Sequence, residues 1–195
     1  VSSERQAVME TAVAAKAASA VLRRMSRATK DDALRRIAAS LRDQADTIAK
    51  INAVDVQRAA NNGTDAAIID RLTLDSQRIE AIAAAVEEVI DLPDPIGDVV
   101  RGYTLPNGLQ VRQIRVPLGV VGMIYEARPN VTVDAAVLCL KSGNSALLRG
   151  SSSARDTNAE LVRVMREALQ DTPIPLDAIC LVPGSTHESV DHLMT

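Results

Sequence analysis

From Pro117 onward the chain alternates between short apolar runs and amphipathic stretches, and this alternation restricts the possible folds more than any other feature. GVVGMIY (119–125) is a continuous apolar run, the pattern of a parallel strand covered on both faces. VDAAVLCLK (133–141) follows with helical spacing at Val133, Ala136, Val137 and Leu140 and stops at Gly143. SALLR (145–149) reads as a second strand, residues 154–170 as a second helix through Leu161, Val162, Met165 and Leu169, and AICLV (178–182) as a third strand. Such an order predicts βαβ units with right-handed crossovers. A further helix is expected from about Thr186 to the last residue, Thr195. Three strands make about half of a doubly wound sheet. The chain therefore reads as a truncated piece of a longer protein, in preference to one whose neighbouring elements come from another chain.

Upstream, the pattern is helical. Residues from Gln6 to about Met25 are Ala-rich. From Thr29, the apolar positions Leu34, Ile37, Ala38, Leu41, Ile48 and Ile51 read as one face of a helix, with an N-cap signal at Thr29 and Asp32 and a stop at Asn61-Asn62-Gly63. Ile79, Ile82, Ala83, Val86 and Ile90 mark another helix that ends before Pro93 and Pro95. Arg23, Arg24, Arg27, Arg35 and Arg36 are interleaved with acids and read as a solvated face. The segment DVVRGYTLPNGLQVRQIRVP (98–117) has two β-rich arms around Asn107-Gly108, a pair suited to a type I′ turn with two positive φ angles. Arg101, Gln110, Arg112, Gln113 and Arg115 keep this hairpin out of a dry core, as in an arm reaching toward another domain or subunit. The expected division is a helical part over residues 1–98, a hairpin over 99–116 and a βαβαβ part over 117–195.

Composition narrows the function. Hydrophobic residues make up 47% of the chain, enough to bury a core, yet aromatic residues are only 1%, which removes stacking platforms for nucleic-acid bases. A net charge of -3 gives no broad attraction to nucleic acid. No apolar run approaches the roughly 20 residues of a membrane span, and VSSERQAVME lacks the pattern of a signal peptide, so a cytoplasmic location is expected. Cys139 and Cys180 both lie in apolar runs and are expected to be reduced and buried. His187 and His192 are five apart with no cysteine or carboxylate cluster at ligand spacing, so no metal site is expected.

Ligands of open parallel sheets bind at the carboxyl ends of the strands. EARPN (126–130), RGSSS (149–153) and PGSTHE (183–188) occupy those ends here. Gly150 permits close approach of a ligand, and the serines after it can cap a helix while leaving backbone N–H groups for an anion. Arg149 is placed to pair with a phosphate through its planar fork. RGSSS serves equally well as an ordinary capping turn with a solvated arginine. Neither G-x-G-x-x-G nor G-x-x-x-x-G-K-[ST] occurs, so spacing alone supports no more than a possible nucleotide site.

PLGVVGMIYEARPNVTVDAAVLCLKSGNSALLRG (117–150) closely resembles the γ-glutamyl phosphate reductase (glutamate-5-semialdehyde dehydrogenase) family of the aldehyde dehydrogenase superfamily, with EARPNVTVDA and CLKSGN the most specific runs. The resemblance extends along the whole chain and covers about the first half of the family's usual length. It implies an α/β fold of N-terminal helices plus a Rossmann-like parallel sheet with a protruding β-hairpin, aldehyde dehydrogenase-like and truncated. It further implies NADPH-dependent reduction of γ-glutamyl phosphate to glutamate 5-semialdehyde and phosphate in proline biosynthesis. The attacking cysteine of such enzymes would lie beyond residue 195, and the fragment alone is expected to be inactive.

Asn130 matches the asparagine that donates its amide N–H to the developing oxyanion, with Pro129 holding it and Arg128 extended before the proline. Arg128 is placed to bind a carboxylate or phosphate of the substrate, with Glu126 orienting it; a mutual salt bridge that only shapes the loop is the equal alternative. The expected cofactor contacts are Tyr125, Arg149, Gly150, Ser151, Ser152, Pro183 and Gly184, and Arg149 in place of the superfamily's common lysine favours NADPH over NADH. Lys141 is expected to complement its helix terminus. The hairpin resembles the superfamily's oligomerisation arm, which implies a homo-oligomer, and a functional link to glutamate 5-kinase is possible on the same ground. Two alternatives remain: a non-catalytic nucleotide-binding or assembly module, or a superfamily member with a different acyl substrate.

Overall fold

The alternation after Pro117 closes into a parallel sheet. The structure, a computed structural model, describes residues 3–184 and 188–194. Its helices are α1 (Ser3–Leu22), α2 (Arg27–Asp43), α3 (Ala45–Asn61), α4 (Ala66–Leu72), α5 (Ser76–Asp91), α6 (Pro129–Lys141), α7 (Arg155–Ala168) and α8 (Glu188–Met194). Its strands are β1 (Val99–Thr104), β2 (Gln110–Ile114), β3 (Val120–Ile124), β4 (Ser145–Arg149) and β5 (Ile179–Leu181). The sheet runs β3-β4-β5, all parallel, with Ile124 opposite Arg149 and Leu148 opposite Leu181. The expected start of the last helix at Thr186 lies outside the described residues.

Side-chain alternation on β4 assigns the two faces. Ala146 and Leu148 join Val133, Val137 and Leu140 of α6 and Leu161 and Met165 of α7 in the main core, which α2 and α5 extend as an outer layer. Leu147 points the other way, toward Val8 and Ala15 of α1 with Cys180, Val182 and Leu193. β4 is covered on both faces, as parallel strands require. β3 is not: Gly122, Met123 and Ile124 are exposed, because β3 forms an edge of this sheet and its outer side lacks a covering layer.

The helical half differs from its sequence reading in three places. The stretch from Thr29 to Asn61 is two helices, broken at Gln44 (φ -104°, ψ 13°), whose side-chain amide bonds Arg163 and Glu167 of α7. The apolar face runs through the break, so periodicity could not show it. The cap of α2 is Ser26, whose Oγ accepts from Thr29 N at 3.1 Å. α4, capped by Asp65 accepting from Ala67 N at 2.8 Å, had no reading at all. The five arginines of α2 and the turn before it are exposed, as expected.

The hairpin protrudes, every residue of β1 being exposed. Its turn is not type I′. Gly108 has φ +87° and no non-glycine residue among the described ones has a positive φ, so Leu105-Pro106-Asn107-Gly108 forms a type I turn, closed by Gly108 N donating to Leu105 O at 2.8 Å and followed by the left-handed glycine. Pro106 before the Asn-Gly pair supplies the fixed φ that selects this geometry.

Buried polar groups tie the helices to the sheet. Lys141 does not sit at a solvated helix end: its Nζ donates to Asp31 Oδ1 at 2.6 Å and to Ile90 O at 2.7 Å, joining α6 to α2 and α5 in the interior. Asp55 of α3, fully buried, accepts from both Thr157 N and Thr157 Oγ1 at 2.7 Å and so caps α7 from a distant helix.

Candidate functional site

The strand tips share one rim. Tyr125 N donates to Arg149 O at 3.0 Å and Val182 N donates to Leu148 O at 2.9 Å, which continues the ladder past β3 and β5 and brings the three polar segments side by side.

One hollow opens on this rim, and a second opens beside the start of α6. The smaller, about 30 Å³, is lined by Arg149, Gly150, Ser151, Ser152, Arg155, Asn158, Leu181, Val182 and Gly184, which unites most of the expected cofactor residues. Arg149 Nε donates to Ser189 Oγ of α8 at 2.8 Å, and its guanidinium also reaches Gly150 O. Two guanidinium groups and the serine hydroxyls suit a phosphate. Part of the expected backbone is already engaged: Ser153 N donates to Ser151 Oγ at 3.3 Å, and Thr157 N in the first turn of α7 donates to the Asp55 carboxylate. Gly150 also serves packing rather than ligand approach, since a Cβ there would overlap Asn158 Nδ2 and lie 3.0 Å from the Tyr125 ring. Gly184, at φ +108°, leaves no room for a Cβ because the Glu4 carboxylate of α1 and Ser189 crowd it. Side-chain pairing to phosphate fits the Arg149 and Arg155 lining of this hollow.

Tyr125 and Pro183 line neither hollow. Thr132 spends its hydroxyl proton on Asn158 Oδ1 at 2.8 Å, so the Tyr125 hydroxyl must donate to Thr132 Oγ1, at 2.7 Å. This chain ties the β3 tip to α6 and α7, and burial pushes the Tyr125 phenol up to about 12.

The larger hollow, about 400 Å³, lies between the α4–α5 connection and the start of α6. Asn130 and Arg128 line it. Asn130 is in the first turn of α6 and not on a loop: Pro129 occupies the first helical position, where a missing N–H costs nothing, and Arg128 precedes it in an extended conformation (φ -138°, ψ 89°). The Asn130 side-chain amide donates to Asp134 Oδ2 at 3.1 Å. Glu126 and Arg128 form no ion pair among the described residues; Arg128 N donates instead to the Glu126 carbonyl at 2.8 Å, so backbone shapes this loop.

Sequence reasoning missed Asp134, Arg71 and Arg78, which line the same hollow. Asp134 was within reach, since residues four apart on a helix share a face. The two arginines had no local signal, because the fold alone brings α4 and α5 to the start of α6. Burial holds the Asp134 carboxyl above its usual range, opposed by the Asn130 bond.

Both cysteines are free and buried, as expected, and burial pushes each thiol up to about 11. Among the described residues no cluster of His, Cys, Asp or Glu could hold a metal, and no helix is long and apolar enough to cross a membrane.

The chain is 58% identical over 187 residues to the γ-glutamyl phosphate reductase of Thermobifida fusca, covering 96% of this chain and 45% of that protein. It is 52% identical over 190 residues to the enzyme of the same name from Kineococcus radiotolerans, covering 97% and 44%. The crystal structure of γ-glutamyl phosphate reductase from Thermotoga maritima superposes with a TM-score of 0.93 at 37% identity, over 96% of this chain and 45% of that one. The chain thus spans less than half the length of these relatives. Residues 1–195 match the aldehyde dehydrogenase family from end to end, and the chain belongs to that family.

Proposed function

We propose that this chain supplies the cofactor-binding half of an NADPH-dependent γ-glutamyl phosphate reductase, which converts L-glutamyl 5-phosphate to L-glutamate 5-semialdehyde and phosphate in proline biosynthesis. The observation that supports it most is the pairing of two neighbouring strands: the phosphate-suited hollow at Arg149 lies at the tip of β4, and the amide of Asn130 starts the helix that follows β3.

NADPH would supply the hydride. Arg149 and Arg155 would hold its phosphate groups through charge-assisted hydrogen bonds. An amide nitrogen carries two protons. Asn130 spends one on Asp134, which fixes the amide plane, and the second is left to donate to an oxyanion without introducing a charge. Neither cysteine is the nucleophile, since a thiol held near 11 in an apolar site is almost wholly protonated at neutral pH. The thiolate belongs to the catalytic portion with which this half works. The exposed hairpin fits a role in homo-oligomer assembly.

The test is steady-state kinetics of the protein that carries this chain, with NADPH and NADH and an Arg149→Ala variant. A larger rise in KM for NADPH than for NADH supports the assignment; equal rises overturn it.

A further inference from the structure

The 400 Å³ hollow contains a charge arrangement that oxyanion chemistry does not need. Asp134 projects into it from α6, half-buried, and its only hydrogen bond among the described residues comes from the neutral Asn130 amide. No cation pairs with it among those residues. The mouth of the same hollow carries Arg71 and Arg128, both exposed and, among the described residues, in no ion pair. Arg78 is different: it is committed to Asp70 Oδ1 at 2.6 Å and Thr73 O at 2.9 Å.

A half-buried carboxylate without a cation is costly, and burial raises the Asp134 carboxyl accordingly. A ligand bringing its own ammonium group would offset that cost. A ligand bringing a carboxylate as well would satisfy an arginine at the mouth. The molecule with both charges on one carbon is an α-amino acid.

We propose that Asp134 is a specificity-determining residue that receives the α-ammonium group of an amino-acid substrate, while Arg71 and Arg128 receive its α-carboxylate. The proposal rests on the function given above and deepens it, by explaining how the site would separate a glutamyl group from a simple dicarboxylic one. Asn130 and Asp134 share one face of α6 with their bonded atoms 3.1 Å apart, so both line the same part of the hollow.

The experiment is calorimetric titration of the chain with L-glutamate and with glutarate, which has the same carboxylates and no amine. The wild-type chain should bind L-glutamate at least about tenfold more tightly, because a site built around a charged group rejects the analogue that lacks it. Asp134→Asn keeps the shape and the acceptor for Asn130, and should abolish that preference by weakening L-glutamate alone. Arg128→Gln should weaken both ligands. Loss of binding through misfolding is separated by melting. The folded pKa of Asp134 is raised, so the cost of ionising it grows as pH rises from the unfolded pKa through the folded one. Asp134→Asn should therefore gain in melting temperature relative to wild type as pH is raised through the carboxylate range. An undiminished preference in Asp134→Asn, or a wild-type chain that binds neither ligand, overturns the proposal. Turnover separates the two readings: an enzyme that reduces γ-glutamyl phosphate while Asp134→Asn keeps its amine preference sinks the ammonium site alone, and a wild-type enzyme with no such turnover sinks the function beneath it.

Discussion

Asn130 and Asp134 are joined by a 3.1 Å hydrogen bond one helical turn into α6, so the amide assigned to the oxyanion is held by a carboxylate on its own helix. The bond fixes which way the amide plane faces and leaves one N–H for the reaction. In the protein that carries this chain, Asn130→Ala should lower kcat by about 10²–10³. Melting should fall by a few degrees at most, because the half-buried Asp134 loses the Asn130 hydrogen bond. A kcat within threefold of wild type, as an order-of-magnitude bound on that effect, would remove Asn130 from the mechanism.

The pairing of Lys141 with Asp31 predicts a stability effect far from any ligand. Truncating Lys141 to Ala leaves a carboxylate in the interior, a change of about 3 kcal/mol in unfolding free energy. Arg27, 3.3 Å from Asp31, offsets part of it. Urea unfolding should also show Asp31→Leu with Lys141→Met to be milder than Lys141→Ala, since the double change removes both charges together.

Gly150→Ala places a methyl against Asn158 and strains the Tyr125–Thr132–Asn158 chain. Overpacking of this kind costs about 1–3 kcal/mol, or roughly 2–12 °C in Tm for a chain of this size. Differential scanning calorimetry reads it directly. An unchanged Tm would mean that Asn158 moves freely, and that Gly150 is present for some reason other than packing.

Cys139 and Cys180 should resist alkylation in the folded chain. With both thiols near 11, only about one in a thousand is ionised at pH 8. Iodoacetamide labelling followed by mass spectrometry should show no adduct until urea unfolds the protein, and rapid native labelling of either residue would contradict its inert role.

The βαβαβ order, the protruding hairpin, the helical first half and the burial of both cysteines were legible in the residues, because each depends on periodicity or on a turn a few residues long. So was the convergence of Arg149, Gly150 and the serines, which follows once the strands are parallel. What escaped were relations across long stretches of chain. Asp55 caps α7 from 102 positions away, which takes up the helix terminus that RGSSS was expected to offer an anion. Lys141 finds Asp31 across 110 positions, and Gln44 breaks an uninterrupted apolar pattern where its amide meets α7. Arg71 and Asp134 line one hollow only because α4 and α5 fold back over the start of α6. Local spacing determines which elements form and which face each one buries. Which buried charge meets which partner, and where a cavity remains between them, is decided only when distant helices pack together, since the cost of leaving a polar group unpaired exists only once water has been excluded.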